Sequence, residues 1–243
     1  MPAFDSGKTY GLFDASANKK LIGEIASAGA EILLFPRLET SAVDLEAEAR
    51  ESLQNVLTFD WIIVPDVFAA EYFLLALEKI GFDFFELDAV RVCAFGESVS
   101  DRLRYSQVHA DVITNTRDAA EAAAAIKNYE PDFALLKVLV LRSESIEPEI
   151  VSSLSADNIN FTELIVYQTN IKPDTPLAKL KSLLKGGAVD EFIFSNPSEI
   201  AEFAILFYPE KPSGLLTDSI ASAPDYSTLQ SLRENNINKI IIR

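Results

Sequence analysis

Asp60-Trp-Ile-Ile-Val-Pro-Asp66, followed by the apolar helical stretch Phe68–Leu77, is the segment that decides the fold class. Its four consecutive apolar residues, Trp61–Val64, predict a strand that is buried on both faces. The helical period of the residues that follow predicts a helix packed against that strand. A buried strand that leads directly into a helix is the repeating unit of a parallel α/β sheet.

The same alternation of short apolar runs and helical stretches extends along the chain. Strands are predicted at Tyr10–Phe13, Ile32–Phe35, Trp61–Val64, Val90–Phe95, Asp111–Ile113, Val138–Leu141, Phe161–Tyr167, Phe192–Phe194, Gly214–Thr217 and Ile240–Ile242. Helices are predicted at Lys19–Ala28, Leu45–Val56, Val67–Ile80, Ser98–Tyr105, Asp118–Asn128, Glu147–Leu154, Leu177–Leu184, Ser198–Phe207 and Thr228–Asn235. Because ten strands would make a large single sheet, this pattern predicts an α/β protein with two doubly wound (flavodoxin-like) parallel-sheet domains.

A faint internal repeat agrees with two copies of one unit. Asp190-Glu-Phe-Ile-Phe-Ser-Asn196 and the helix after it resemble the opening segment. In that register Phe203 aligns with Phe73, and Phe207 aligns with Leu77. The offset between the copies is far longer than the period of a solenoid. A chance similarity between two strand–helix elements is the alternative.

Two short segments are predicted to connect the domains. Residues 36–40 follow the second strand and residues 167–173 follow the seventh, and each segment contains a proline, which favours extended backbone. If both are linkers, the chain leaves the first domain after two strands, completes the second and then returns. The first domain is then residues 1–37 with 171–243, and the second is residues 40–166.

The composition excludes several classes of protein. The chain has 243 residues and a formal net charge of −16 with no Lys/Arg cluster, so neither nucleic acid nor an anionic membrane surface is an expected partner. No apolar run approaches the length of a membrane span, and the start MPAFDSGK lacks the apolar core of a signal peptide. The single cysteine and single histidine exclude an internal disulfide and Cys- or His-rich metal sites. We therefore expect a cytoplasmic protein with a solvated acidic surface.

Common catalytic motifs are missing from the sequence. It contains no GxGxxG after a strand, no GxxxxGK[ST], no HExxH and no GxSxG. His109 has no serine or cysteine context for a triad and is interpreted as solvated or structural. Cys93 lies within a predicted strand and is interpreted as a buried, unreactive thiol.

One turn after a predicted strand has the sequence of a helix start. In Ser195-Asn-Pro-Ser198, Asn196 can cap a helix, Pro197 suits its first position, and Glu199 occupies the third. A helix N-terminus at the carboxyl edge of a parallel sheet offers unpaired N–H groups and a positive dipole to an anion. Ordinary capping without a ligand is the alternative.

Two further turns follow predicted strands in the same way. Gly96-Glu97-Ser98 includes a glycine that permits close approach of a ligand to the backbone. In Arg142-Ser143, the guanidinium can fork a carboxylate. Capping alone is again the alternative reading of both turns.

Taken in order, the segments of this chain resemble the uroporphyrinogen-III synthase family. Those that carry the resemblance are Ala28-Gly-Ala-Glu-Ile-Leu-Leu-Phe-Pro36, Phe59-Asp-Trp-Ile-Ile-Val64, Val92-Cys-Ala-Phe-Gly96, Lys137-Val-Leu-Val-Leu-Arg142, Val166-Tyr-Gln-Thr169 and Phe194-Ser-Asn-Pro-Ser198. The most specific combination is Val-Tyr-Gln-Thr at a predicted linker, followed by a strand that ends in Ser-x-Pro-Ser. The resemblance runs from about Lys8 to Ile242.

This resemblance implies a fold, a reaction and a site. Family members have two α/β domains joined by a two-stranded linker, and they close linear hydroxymethylbilane to uroporphyrinogen III with inversion of ring D and loss of water. It implies a monomer without a cofactor, with the tetrapyrrole in a cleft between the domains and its carboxylates held largely by backbone amides. Tyr167 is then placed to assist loss of the hydroxyl, and an aromatic that only packs at the linker is its alternative role. The implied substrate-binding residues are Gly96, Glu97, Ser98, Arg142, Ser143, Ser195, Asn196, Pro197, Ser198, Thr217, Asp218 and Ser219.

The sequence departs from the family pattern at three turns. Leu12–Asp14 ends the first strand where members have Thr-Arg-Pro, Val64–Asp66 replaces a frequent Thr-Ser-x-Asn, and Leu216–Ser219 lacks the usual glycine. These departures keep a second function open, that of a non-catalytic family member that binds a tetrapyrrole or a protein partner. An unrelated two-lobed protein that binds a small molecule is the third possibility.

Overall fold

The computed structural model describes residues 4–14, 16–114, 119–130, 135–145, 149–156, 159–171 and 176–243. The chain divides into two compact units, of which unit 1 comprises Met1–Glu39 with Asn170–Arg243 and unit 2 comprises Thr40–Thr169. Unit 1 is therefore built from both ends of the sequence. Within the described ranges, every helix is too short or too polar to cross a bilayer.

Strands and helices alternate in both units. The strands are β1 (Thr9–Phe13), β2 (Glu31–Phe35), β3 (Glu39–Ala42), β4 (Trp61–Val64), β5 (Arg91–Ala94), β6 (Val112–Ile113), β7 (Lys137–Ser143), β8 (Asn160–Asn170), β9 (Glu191–Ile193), β10 (Ile220–Ala223) and β11 (Ile240–Ile242). The helices are α1 (Lys19–Ser27), α2 (Ala47–Gln54), α3 (Val67–Lys79), α4 (Glu97–Tyr105), α5 (Ala119–Tyr129), α6 (Glu149–Ala156), α7 (Leu177–Lys185), α8 (Pro197–Leu206), α9 (Pro212–Leu215) and α10 (Tyr226–Glu234).

Each unit contains one sheet. The sheet of unit 1 has the order β11-β10-β9-β1-β2, and all four neighbouring pairs are parallel. The sheet of unit 2 has the order β3-β8-β7-β4-β5-β6, and the pairs from β8 to β6 are parallel. The predicted fold class, two parallel α/β sheets, is confirmed. Since the carboxyl ends of parallel strands share one edge, the turns that follow them lie along that edge in each unit.

Phenylalanine dominates the core of unit 1. The rings of Phe192 and Phe194 lie 4.6 Å apart between centroids, and that of Phe203 lies 5.1 Å from Phe192 in an edge-to-face arrangement. Gly11 of β1 allows this packing, because a Cβ on it would lie 2.8 Å from Cδ2 of Phe192. The core of unit 2 is instead aliphatic around Trp61, with Ile63 and Val140 on the same face of its sheet.

The two copies of the sequence repeat form the same local structure. β4 leads through a turn into α3, and β9 leads through a turn into α8. Phe73 and Phe203, which the repeat aligns, are both buried, as are Leu77 and Phe207.

The predicted strand at Gly214–Thr217 is wrong. Pro212–Leu215 forms α9, and the strand of the sheet is β10, which starts at Ile220. Leu215 and Leu216 are buried, which accounts for the apolar pattern, whereas the small residues of Ile-Ala-Ser-Ala give β10 a weak strand signal.

The sheet of unit 2 has one strand more than predicted. Residues 36–40 were expected to be an extended linker, and their last two residues begin β3, which pairs with β8. Three predicted features extend beyond the described residues, namely the helix starts at Asp118 and Glu147 and the linker end at Pro173.

Candidate active site

Asp66 marks the turn after β4 in unit 2. Its Oδ1 accepts a hydrogen bond of 2.8 Å from the backbone N–H of Ala69, so it is the N-cap of α3. This cap satisfies one of the unpaired donors of the helix and places a carboxylate at the positive end of its dipole.

Tyr167 lies beside this turn. It belongs to β8 and is 1% exposed, and its hydroxyl donates a 3.0 Å hydrogen bond to Oδ2 of Asp66. Its ring stacks on Tyr72, at 5.7 Å between centroids and 13° between planes, and is tilted against Phe68 at 6.0 Å. The aromatic contacts hold the ring, and Asp66 orients the phenolic proton at the carboxyl edge of the sheet.

Gly96 forms the turn after β5. Its φ of 91° lies in a region that side-chain-bearing residues rarely adopt, and its N–H donates to Oγ1 of Thr114 at 3.1 Å. Glu97 and Ser98 occupy the first turn of α4 and are half-buried. The carboxylate of Glu97 accepts a 3.0 Å hydrogen bond from Arg104, which also pairs with Asp101. The predicted residues thus lie at a helix start, with an acidic side chain in its first turn.

Arg142 and Ser143 form the carboxyl end of β7. The guanidinium Nε of Arg142 lies 2.5 Å from Oε2 of Glu163 on β8, and its Nη1 donates to the carbonyl of Ser143 at 3.3 Å. Ser143 is buried, and the strand pairing is irregular between the two residues. The cation that the sequence analysis assigned to a substrate carboxylate therefore already has an internal carboxylate partner, which strand periodicity alone did not reveal.

The turn after β9 is the predicted helix start. Oδ1 of Asn196 accepts the N–H of Glu199 at 3.1 Å, and Pro197 occupies the first position of α8. Ser198 is exposed at the second position, where the N–H points out of the helix end. Ser195 is half-buried just before the cap.

Two buried glutamates lie behind this turn, and the sequence analysis identified only one of them, as a capping residue. Glu199 is 1% exposed, and its Oε2 accepts the backbone N–H of Ser195 at 2.7 Å. Glu202 is equally buried and binds Arg37 through two contacts, Nε–Oε1 at 3.0 Å and Nη2–Oε2 at 2.8 Å. Its Oε1 also accepts the backbone N–H of Leu38. Their spacing of three residues on one helix face was the available signal.

Further contacts link the two carboxylates to the end of β1. Nη1 of Arg37 lies 3.4 Å from Oε1 of Glu199. Asn18 donates to the same oxygen at 3.4 Å and to the carbonyl of Phe13 at 2.9 Å, and it accepts the Ser195 hydroxyl at 2.7 Å. We refer to Arg37, Glu199 and Glu202, with their partners Asn18, Ser195 and Leu38, as the carboxylate network.

Burial raises the pKa of Glu199 and that of Glu202, because a charged carboxylate loses hydration in the core. The N–H donors and Arg37 act in the opposite direction on both groups, since they stabilise the charged form. Burial also raises the pKa of Cys93 to about 12, so its thiol stays protonated and unreactive at neutral pH.

Thr217, Asp218 and Ser219 were expected at the carboxyl end of a strand, and the structure places them before one. They precede β10 and so lie at the amino end of that strand, opposite the edge that carries the other turns. Ser219 is buried and donates to the carbonyl of Val189 at 2.7 Å, and the carbonyl of Thr217 accepts Nζ of Lys239. These residues brace the amino edge of the sheet of unit 1.

The helix start after β10 is Asp225, which the sequence analysis missed. Its Oδ1 accepts the N–H of Thr228 at 2.8 Å, and Tyr226 is 71% exposed at the first position of α10. The signal was present, because Pro224-Asp225 repeats the Pro65-Asp66 pair that precedes α3.

The site residues thus fall into separate groups on the two units. Unit 2 brings Tyr167 together with Asp66, and unit 1 brings Ser195 and Asn196 together with the carboxylate network. Among the described residues, no three His, Cys, Asp or Glu side chains are grouped so that they could hold a metal ion. The groups available for chemistry are therefore a phenol, carboxylates and backbone N–H donors at helix starts.

Comparison with known proteins gives a consistent family. Residues 19–243 match the family model described as uroporphyrinogen-III synthase HemD. The porphyrin biosynthesis protein HemD of Ruminiclostridium josui is 21% identical over 183 residues, which make up 75% of this chain and 36% of that protein. The chain therefore spans little more than a third of the length of the curated relative that it matches.

Solved structures agree with the family model. The uroporphyrinogen III synthase of Thermus thermophilus aligns with 96% of this chain and 93% of its own, with a TM-score of 0.62 and 16% identity. A second, wild-type structure of the synthase from the same species aligns with 96% and 91%, with a TM-score of 0.62 and 17% identity. At these identities the likeness shows the fold, while the family model covers most of the sequence. The chain therefore belongs to the uroporphyrinogen-III synthase HemD family.

Proposed function

We propose that this protein is a uroporphyrinogen-III synthase, which closes hydroxymethylbilane to uroporphyrinogen III with inversion of ring D and loss of water. The observation that carries the proposal is the Tyr167 hydroxyl, held 3.0 Å from Asp66 at the N-terminus of α3. A phenol fixed at the carboxyl edge of a parallel sheet stands where ligands of such sheets bind.

The chemistry suits a site with few functional groups. Hydroxymethylbilane is electron-rich and readily loses its hydroxyl, so the main task of the protein is to orient a flexible chain for closure at the correct carbon. In the proposal, Tyr167 turns its proton from Asp66 toward the departing hydroxyl, which leaves as water as the C–O bond breaks. The phenolate then recovers the proton that the substrate releases when the ring closes. Asp66 holds the phenol before that step and prevents its free rotation.

The carboxylates of the substrate are assigned to N–H donors at helix starts. This is the arrangement that a chain with a net charge of −16 can offer, because helix dipoles and unpaired N–H groups act locally. The outer N–H of Ser198 and the turn at Gly96 are the proposed contacts. The proposal keeps the sequence-based expectations of a monomeric, cytoplasmic enzyme that works without a cofactor.

A second candidate is a non-catalytic member that binds a tetrapyrrole or a protein partner. Asp66 and Asp225 favour a loss of catalysis, since both place a negative charge at helix starts where carboxylates of the synthase substrate would have to bind. Both Asp side chains accept a backbone N–H, so part of each helix end is already neutralised by the protein itself.

A coupled assay tests the proposal. Hydroxymethylbilane is generated by its own synthase, this protein is added, and the uroporphyrin isomers are resolved after oxidation. We expect isomer III to predominate at catalytic amounts of protein. Formation of isomer I alone, even at stoichiometric protein, would contradict synthase activity and favour the non-catalytic family member.

Tyr167→Phe tests the assigned role, and Tyr72→Phe is its matched control. Tyr72 stacks on Tyr167, and its hydroxyl donates to Thr40 at 3.0 Å rather than to Asp66. We expect Tyr167→Phe to lower turnover by about 10²-fold, the low end for a positioned proton donor, because the substrate is itself reactive. Tyr72→Phe should stay within about twofold of wild type. Equal turnover of both variants would return Tyr167 to a packing role.

A further inference from the structure

The turns of unit 1 donate hydrogen bonds to carboxylates that belong to the protein itself. The backbone N–H of Ser195 points to Glu199, and that of Leu38 points to Glu202. Arg37 divides its guanidinium between the two glutamates. These are the kinds of donor that a protein offers to an anionic ligand at a helix start.

The two glutamate carboxylates are surrounded by donors in the way that a bound anionic ligand would be. Each is 1% exposed, and burying a carboxylate is costly unless several donors compensate for its lost hydration. Glu199 accepts from Ser195, Asn18 and Arg37. Oε1 of Glu202 accepts from Leu38 and from Nε of Arg37, and its Oε2 lies 2.8 Å from Nη2 of Arg37 as an ion pair. Since two carboxylates face one guanidinium, the backbone and amide donors supply the remaining compensation.

The network spans three neighbouring strands of one sheet. β9, β1 and β2 are adjacent in the order of unit 1, and their carboxyl ends lead to Ser195, to Asn18 and to Arg37 with Leu38. The carbonyl of Phe13, the last residue of β1, is tied in through Asn18. The network therefore joins the three turns at a single edge.

We propose that Glu199 and Glu202 are positioning residues which fill, from within the protein, the anion-binding donors of the turns after β9 and β2, and thereby preset the turn that receives substrate at the start of α8. Only the outer N–H groups of the first helical turn, such as that of Ser198, then remain for a substrate carboxylate. The occupation of these donors by Glu199 and Glu202 is a property of the protein alone, whereas their effect on substrate binding rests on the proposed function.

A chemical-rescue experiment tests, without any enzyme assay, whether Glu199 occupies an anion-binding position. Glu199→Ala leaves the donors around an emptied carboxylate position, and we expect its Tm to fall by roughly 6–12 °C. Acetate at roughly 100 mM should restore part of that loss, because a ligand bound only by the folded state raises Tm. Acetamide and sodium chloride at matched concentrations should not restore the Tm of the variant. In wild type, acetate should have no effect beyond that of the chloride.

Glu210→Ala is the matched control. Glu210 lies in unit 1 and pairs with Lys181 and Lys185 at a half-buried surface position, so its removal empties no internal site. Its Tm should change little and should not respond to acetate. A Glu199→Ala variant that is as stable as Glu210→Ala, or that gains no more from acetate than from chloride, would overturn the inference.

Hydrogen exchange on the wild-type protein decides the case if Glu199→Ala does not fold. The amide protons of Ser195 and Leu38 should exchange slowly, and that of Ser198 should exchange fast. In Glu199→Gln, whose side chain keeps its shape but loses its charge, the Ser195 amide should become less protected while that of Leu38 changes less. Fast exchange of the Ser195 amide in wild type would contradict the network.

Steady-state kinetics of Glu199→Gln test the part that names substrate. A shifted turn should raise the KM for hydroxymethylbilane several-fold, with kcat within about twofold, since the phenol of unit 2 is untouched. An unchanged KM would confine Glu199 to a structural role. If wild type itself proves inactive, the proposed function fails, and the acetate result still decides whether the protein fills its own anion site.

Discussion

Two helix starts in this protein use the same backbone arrangement and carry different charges. β4 leads through Asp66 into α3, and β9 leads through Asn196 into α8. Both capping residues have extended backbone and accept the N–H three residues on, at 2.8 Å for Asp66 and 3.1 Å for Asn196. In unit 2 the carboxylate is the cap itself, whereas in unit 1 it comes from Glu199, inside the first turn.

The difference shows where each unit can admit an anion. Asp66 lies at the helix end, half-buried, and accepts a hydrogen bond from the buried Tyr167 hydroxyl, so a ligand approaching α3 meets a carboxylate. Asn196 is neutral and exposed, while Glu199 is buried behind it, so a ligand approaching α8 meets N–H groups. Under the proposed function, unit 2 supplies the proton donor and unit 1 holds a carboxylate of the substrate.

The largest expected effects concern the aligned core positions. Phe203→Ala and Phe73→Ala should each cost about 3–5 kcal/mol in the free energy of unfolding, because both rings are buried. Phe203 should cost more, since its ring packs on four others, with Phe192 at 5.1 Å and Phe207 at 4.9 Å. Urea unfolding measures both variants, and a larger loss for Phe73→Ala would break this ranking.

The next effect tests whether α8 binds substrate through its backbone. Ser198→Pro removes the N–H at the second helical position, where proline is tolerated, and should weaken substrate binding roughly ten- to a hundred-fold. Ser198→Ala removes only the hydroxyl and should weaken it mildly. Affinities and thermal melts of both variants are measured together. If alanine costs as much as proline while both are folded, the hydroxyl is the ligand.

A smaller effect is expected from exchanging the two caps. Asp66→Asn and Asn196→Asp each keep a good N-cap, so the helix start should survive in both. Removing the charge at α3 should tighten substrate binding by up to about fivefold, and adding one at α8 should weaken it by a similar factor. Turnover of Asp66→Asn should fall because the Tyr167 hydroxyl loses its charged acceptor. Affinity changes of the same sign in both variants would contradict the comparison.

The smallest expected change is in the pH dependence of stability. Burial raises the folded-state pKa of Glu199 above 4.5, so the folded protein holds this proton more tightly than the unfolded chain does. The resulting contribution to stability is complete below pH 4.5 and is lost as the pH rises through the folded-state pKa. Relative to Glu199→Gln, wild type should therefore lose Tm as the pH rises.

A series of thermal melts from pH 4.5 upward measures the difference in Tm between wild type and Glu199→Gln. Arg37 and Glu202 are the charged groups that face Glu199, and Glu202 has a pKa raised in the same direction. The variant Glu199→Gln/Glu202→Gln should therefore show the larger change of slope. Parallel profiles for all three proteins would show that neither glutamate titrates in this range.

Strands with continuous apolar runs were predictable from the sequence. Trp61–Val64, which is buried, and Ile240–Ile242, whose last two residues are exposed, have the predicted bounds. The cap at Asn196 follows from residue types within one helical turn. β10 could not be predicted from the sequence, because it consists largely of Ala and Ser residues. These residues are buried by neighbours that are distant in sequence. That error also moved a predicted binding turn to the wrong edge of the sheet.

The pairing of charges was decided only by the tertiary structure. Arg37 is 162 residues from Glu199, and Tyr167 is 101 residues from Asp66, so no local pattern signals either contact. The sequence by itself determined the alternation of strands and helices, the family resemblance and the local capping chemistry, all of which depend on residues within a few positions of one another. Which donors the turns keep for a ligand, and which they give to the protein's own carboxylates, depends on the parallel strand order, which brings distant turns to one edge.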